Sequence, residues 1–183
     1  MMLDLLQAIA LLLALCLLQG VNARYWKPGS AAAALSAGLI YGLACVAAMM
    51  MPIALAPGVI VDPRSVVLSL AALFGGPLTG AVAAVVAGAY RLALGGNGLT
   101  IGLVTIVAAV LLGLAYRHGV ARAWVRRAPW SLFAFGVLTH LITLLLLGQI
   151  PGQSLGGVVA TLGLPYLLIM GAGTALLGLL LLD

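Results

Sequence analysis

The chain has 183 residues, 65% of them hydrophobic and 6% charged, with a net charge of +5. A soluble domain carries about a quarter charged residues, so this composition excludes a water-soluble fold and makes lipid the solvent. The apolar runs are continuous, which excludes a transmembrane β-barrel of alternating strands. They predict an all-α polytopic membrane protein of five to six transmembrane helices.

Residues 3–20 form the first apolar run, close to the ~20 residues a spanning helix needs. Asp4 is its only early charge and no basic segment leads into it, so it reads as a helix rather than a secretory leader. The linker VNARYWKPGS supplies Arg24 and Lys27, a Pro-Gly turn, and Tyr25 and Trp26 as interfacial anchors. Residues 31–55 predict the second helix, and the loop APGVIVDPR leads into the run 65–90. Residues 99–116 predict another helix. The basic loop RHGVARAWVRRAPW then carries Arg117, Arg122, Arg126 and Arg127. The last two helices are expected at 131–148 and 158–182, separated by the uncharged GQIPGQSLGG. The cations lie between apolar segments, where they set topology, so nucleic acid is not an expected partner. Cys16 and Cys45 fall inside apolar runs and read as small buried hydrophobes; two thiols make no metal motif.

The run 65–90 has two readings. As one straight helix it would span about 39 Å and place Arg64 and Arg91 on opposite faces. Gly75-Gly76-Pro77 offers the other. Proline removes a backbone donor and clashes with the preceding turn, and glycine weakens the helix before it. The segment is then broken or re-entrant, with arms near 65–74 and 78–90, and broken segments are tolerated where protein encloses them. Charge counting separates the two. A full crossing puts Arg64, Arg117, Arg122, Arg126 and Arg127 against Arg24, Lys27 and Arg91. A re-entrant segment puts all cations but Arg64 and Arg91 on one face. The positive-inside rule favours the second arrangement, with the C-terminus cytoplasmic, the N-terminus outside and both lone arginines near the outer face. Small-xxx-small pairs at Gly38/Gly42, Gly76/Gly80, Gly98/Gly102 and Gly152/Gly156 are expected to let helices approach closely.

No catalytic site is expected. The chain has three carboxylates, Asp4, Asp62 and Asp183, and Asp62 alone is internal. There is no P-loop, H-E-x-x-H or G-x-S-x-G, so the chain reads as a non-enzyme without cofactor or metal. What remains is Asp62, Arg64 and Arg91. Two guanidinium forks around a low-dielectric pocket would bind a small anion, with Asp62 orienting or neutralising Arg64. The alternative is that each arginine snorkels to headgroups as an anchor. Gly95 and Gly96 fit a tight turn with close backbone approach, Asn97 can add a hydrogen bond, and Thr100 and Thr105 can add hydroxyls. Threonines in membranes also commonly bond a carbonyl one turn back. His140, beside Thr139 and near Thr143, is expected to be a neutral histidine bonded across helices.

One ordered set of residues goes further. Pro57-Gly58-Val59-Ile60-Val61-Asp62-Pro63-Arg64, then Gly75-Gly76-Pro77 with Gly80, then Tyr90-Arg91, then Gly95-Gly96, resembles the LytS-type five-transmembrane receptor domain, 5TMR-LYT. The later TIVAAVLLGL with Gly113 fits as well, and the resemblance covers about 20–182. It implies a membrane sensor module of bacterial signalling proteins, placed ahead of a histidine kinase or diguanylate cyclase domain. Some such modules answer to pyruvate or similar small carboxylates. It also implies that Arg64 and Arg91 belong to the ligand site. Pyruvate-responsive members can carry a thiol and a hydroxyl on the helix after the Gly-Gly turn, where this chain has Gly102 and Thr105.

The expectation is therefore a single sensor domain over 1–183, with no soluble output domain in this chain. It sits in the bacterial inner membrane as a multi-pass protein and binds a small anionic, pyruvate-like carboxylate. The ligand set is Arg64, Arg91, Asp62, Asn97 and Thr105, with hinge and turn residues Gly75, Gly76, Pro77, Gly95 and Gly96. Its partners are the lipid bilayer, a cytoplasmic output domain, fused or separate, and a second copy in a homodimer. The alternative is a small-molecule-binding subunit of a membrane transporter.

Overall fold

The structure is a computed structural model that describes residues 2–50, 53–56, 59–61, 63–96, 98–125, 128–147 and 155–182. It is a helical bundle: α1 (Met2–Tyr25), α2 (Ala31–Met50), α3 (Arg64–Leu70), α4 (Gly76–Leu94), α5 (Leu99–Ala121), α6 (Pro129–Leu147) and α7 (Leu155–Leu180). Helix is what a lipid solvent imposes, because it satisfies backbone groups within one segment. Among the described residues, five stretches are long and apolar enough to cross a membrane: Ala31–Met50, Arg64–Leu94, Leu99–Ala121, Pro129–Leu146 and Gly163–Leu180. One small hairpin interrupts the helices. Strands β1 (Ile53–Ala56) and β2 (Val59–Val61) pair antiparallel just before α3, with Ile53 opposite Val61.

The stretch Arg64–Leu94 is not a straight helix. Helix α3 runs into a π-helical turn, Ala71–Gly75, and stops there. Gly76 then takes φ +84° and ψ −168°, a region open essentially to glycine alone, and Pro77 opens α4. The Gly-Gly-Pro expected to break the run does so, and the chain doubles back.

Contacts fix the directions. Thr79 donates to the Ala34 carbonyl at 3.1 Å, and a Cβ on Gly42 would fall 2.6 Å from Val86 Cβ, so α4 runs parallel to α2. The α2–α4 approach uses the expected pair Gly38/Gly42, whereas a Cβ on Gly156 would meet nothing within 4 Å and Gly152 lies outside the described residues. Helix α3 runs parallel to α5, from Arg64 at Thr105 to Leu73 at Arg117. The arms of the doubled-back segment are unequal. The first, α3 plus the π-turn, has 7 and 5 residues and is about 18 Å long; the second, α4, has 19 and is about 28 Å. The sequence predicts arms of about 15–20 Å each; the first falls within that range and the second exceeds it. The second extends because α2 gives it a partner along its length.

The short arm is the hub of the bundle. It touches α2, α4, α5, α6 and α7, and Val67, Leu68, Leu70, Ala71, Ala72 and Leu73 are fully buried. Water exclusion cannot drive such packing between helices in lipid; close van der Waals contact does. Helix α1 lies antiparallel to α2, with Asn22 donating to the Ala33 carbonyl and Gln19 to that of Ala37. Helices α6 and α7 pair antiparallel, Gly136 against Thr174 and Gly178 against Leu132. The bundle thus sorts its described cations: Arg24, Lys27, Arg117 and Arg122 at one end, Arg64 and Arg91 at the other.

Candidate functional site: two arginines on one face of α5

Arg64 is the first residue of α3, and Arg91 lies in the last turn of α4. Both are half-buried. The doubled-back segment delivers them to the N-terminal turns of α5. Arg64 Nη2 donates to Thr105 Oγ1 at 3.4 Å, and Thr105 Oγ1 donates to the Gly102 carbonyl at 2.8 Å. Cys45 Sγ donates to the Arg64 carbonyl at 3.8 Å, which ties the start of α3 to α2.

Arg91 rests on the same stripe one turn nearer the end of the bundle. A Cβ on Gly102 would fall 2.5 Å from Arg91 Nε, and one on Gly98 would fall 3.4 Å from Nη2. Only glycine at 102 leaves room for the arginine to lie flat on α5. Arg91 Nη1 donates to the Gly95 carbonyl at 2.7 Å. Gly95 at φ +64° and Gly96 at φ +86° make the turn between α4 and α5. Positions 98, 102 and 105 follow i, i+4, i+7 spacing and share one helix face. The two arginines and Thr105 therefore converge on two turns of a single helix.

The remaining expected residues divide. Thr105 is buried and makes the bond one turn back that membrane threonines favour. Thr100 is exposed. Asp62 and Asn97 lie outside the described residues. Cys45 is buried and Cys16 half-buried. Among the described residues no group of His, Cys, Asp and Glu could hold a metal.

His140 departs from expectation. It is fully buried, but its Nδ1 meets the Gly136 carbonyl of its own helix at 2.8 Å. Its contact across helices is a ring contact, edge-on to Tyr166 at 5.5 Å. A carbonyl one turn back is always within reach of a polar helical side chain, and here it outcompetes a distant partner.

Sequence reasoning missed Arg117 as more than a loop cation. A helix that stops inside the bundle leaves carbonyls unsatisfied. Arg117 Nη1 donates to those of Leu73 and Phe74, at 2.8 and 2.9 Å. The signal was spacing: Arg117 follows Thr105 by about 18 Å of helix, the length of the short arm beside it.

The fold and site define a multi-pass helical membrane protein that collects two guanidinium groups at one end of a folded-back segment. The chain belongs to the 5TMR-LYT family: the family model described as "5TMR of 5TMR-LYT" matches residues 24–183. It is a membrane sensor module, and nearly all of α1 precedes the matched region. No curated protein and no solved structure matches the chain.

Proposed function

We propose that the chain senses a small carboxylate bound between Arg64 and Arg91. The observation that carries this reading is their convergence on Gly98, Gly102 and Thr105 of α5. Guanidinium groups are expensive in a bilayer and serve function there by default. A carboxylate matches their planar donor forks, and the Thr105 hydroxyl adds a further polar contact. Asp62 and Asn97 flank the two arginines in sequence and complete the proposed ligand set.

The response follows from the hub. A ligand can only shift an equilibrium between states for which its affinity differs. Drawing Arg64 toward Arg91 moves the N-terminus of α3, and α3 packs directly on α7. Gly75, Gly76 and Pro77 form the hinge at the far end of this arm. Movement of α7 then reaches a cytoplasmic kinase or cyclase output domain, fused or separate, with two copies working as a dimer. The described cations support a cytoplasmic C-terminus in the bacterial inner membrane, because the more cationic end holds Arg24, Lys27, Arg117 and Arg122.

A thermal-shift screen of small carboxylates on the detergent-solubilised protein tests this. Wild type is expected to be stabilised by at least one 2-oxo or hydroxy acid, and Arg64→Ala and Arg91→Ala are expected to lose that stabilisation. Stabilisation that survives both substitutions would remove the arginines from the site.

A further inference from the structure

A cationic cavity lies at the end of the bundle opposite Arg64 and Arg91. It has a volume of about 460 Å³ and is lined by Gln19, Asn22, Trp26, Ser30, Gly76 and Arg117, among others. A neighbouring cavity of about 590 Å³ shares Gln19, Phe74 and Gly75 with it and continues past Arg24, Tyr41 and Leu181. Together they form one cleft, with Arg117 in its first part and, toward the end of α7, Arg24 beside an apolar wall of Tyr41, Phe74 and Leu181.

We propose that this cleft binds an anionic phospholipid, its phosphate held by Arg117 and its acyl chain lying along Tyr41, Phe74 and Leu181. Three observations support it. Arg117 spends Nη1 on the Leu73 and Phe74 carbonyls, while Nε and Nη2 make no hydrogen bond among the described residues. Those donors are therefore available to an oxyanion, and a guanidinium matches phosphate geometry. No carboxylate lines either cavity among the described residues. Trp26, half-exposed at the rim, places the opening at the membrane interface, where basic pockets between helices hold anionic head groups. The N-terminal turns of α2 and α4 also line the cavity and add their backbone dipoles to the same charge preference. Lipid bound here would brace the capped end of the hub, opposite the Arg64–Arg91 site and independent of it.

The test is thermal stability and retained lipid, by native mass spectrometry, for protein exchanged into phosphatidylglycerol or phosphatidylcholine. Glycerol phosphate and inorganic phosphate serve as free-anion arms. Phosphatidylglycerol is expected to stabilise wild type beyond phosphatidylcholine. Arg117→Gln should weaken that preference about tenfold, while Arg122→Gln, on an exposed cation at the same end, should keep it. Because Arg117→Gln also uncaps the hub, Ala33→Phe serves as a second variant that fills the cavity and leaves Arg117 in place; it too should lose the preference. Equal stabilisation by the two lipids, or a preference intact in Ala33→Phe, would overturn the proposal. Free phosphate that reproduces the effect and competes with the lipid would overturn its assignment to lipid.

Discussion

The guanidinium of Arg64 donates to the hydroxyl of Thr105 at 3.4 Å, and that hydroxyl donates to the carbonyl of Gly102, the residue on which Arg91 rests. One short relay on α5 thus joins the start of the hub to the end of α4. A ligand held by both arginines would sit over this relay and sense the position of both elements.

Gly102 is the first point of test. Gly102→Ala would place a Cβ 2.5 Å from Arg91 Nε, but the far part of an arginine can swing aside. The variant is therefore expected to fold with a melting temperature close to wild type. Its ligand-induced thermal shift should fall by more than half, because Arg91 no longer lies over α5. A melting temperature and thermal shift both unchanged would show that Arg91 placement does not matter.

Gly76 is expected to behave in the opposite way. The nearest atom to an added Cβ there is in Arg117, at an ordinary contact distance of 3.5 Å, so crowding is minor. The strain lies in the backbone, at φ +84° and ψ −168°. Holding alanine in that region costs about 1–3 kcal/mol, and each kcal/mol lowers the melting temperature of a chain this size by about 2–4 °C. Thermal unfolding of Gly76→Ala checks this; an unchanged melting temperature would mean that the fold-back does not depend on glycine.

Sidedness can be read by thiol labelling in a background without Cys16 and Cys45. A cysteine at position 97, between Gly96 and Gly98 in sequence, is expected to label from outside intact cells. One at Trp124, which is 70% exposed at the opposite end, should label only after permeabilisation. The reverse pattern would invert the proposed orientation, and labelling of both from one side would contradict α5 as a membrane-crossing helix.

Much of this architecture is legible in the sequence because lipid simplifies the problem. Continuous apolar runs of spanning length predict helices directly, and Gly75-Gly76-Pro77 announces the break by removing a donor and supplying a residue free to take positive φ. The convergence of Arg64 and Arg91 follows once the break is accepted. Three features were not legible. The unequal arms depend on how α4 packs along α2, which periodicity does not reveal. Arg117 looked like one loop cation among several, since its partners are backbone carbonyls that carry no sequence signature. Gly102 read as a helix-packing residue, and only the three-dimensional path of Arg91 shows that it makes room for a guanidinium.

The central claim is that Arg64 and Arg91 hold one ligand together, and a double-mutant cycle on binding tests it most directly. Equilibrium binding of the best carboxylate from the screen would be measured for wild type, Arg64→Gln, Arg91→Gln and the double variant. Each single substitution is expected to weaken binding about tenfold or more, the loss of a charge-assisted hydrogen bond. The double variant should lose clearly less than the product of the two, because residues that share a partner are coupled. Binding by either single variant within about twofold of wild type, or strictly multiplicative losses, would contradict a shared site.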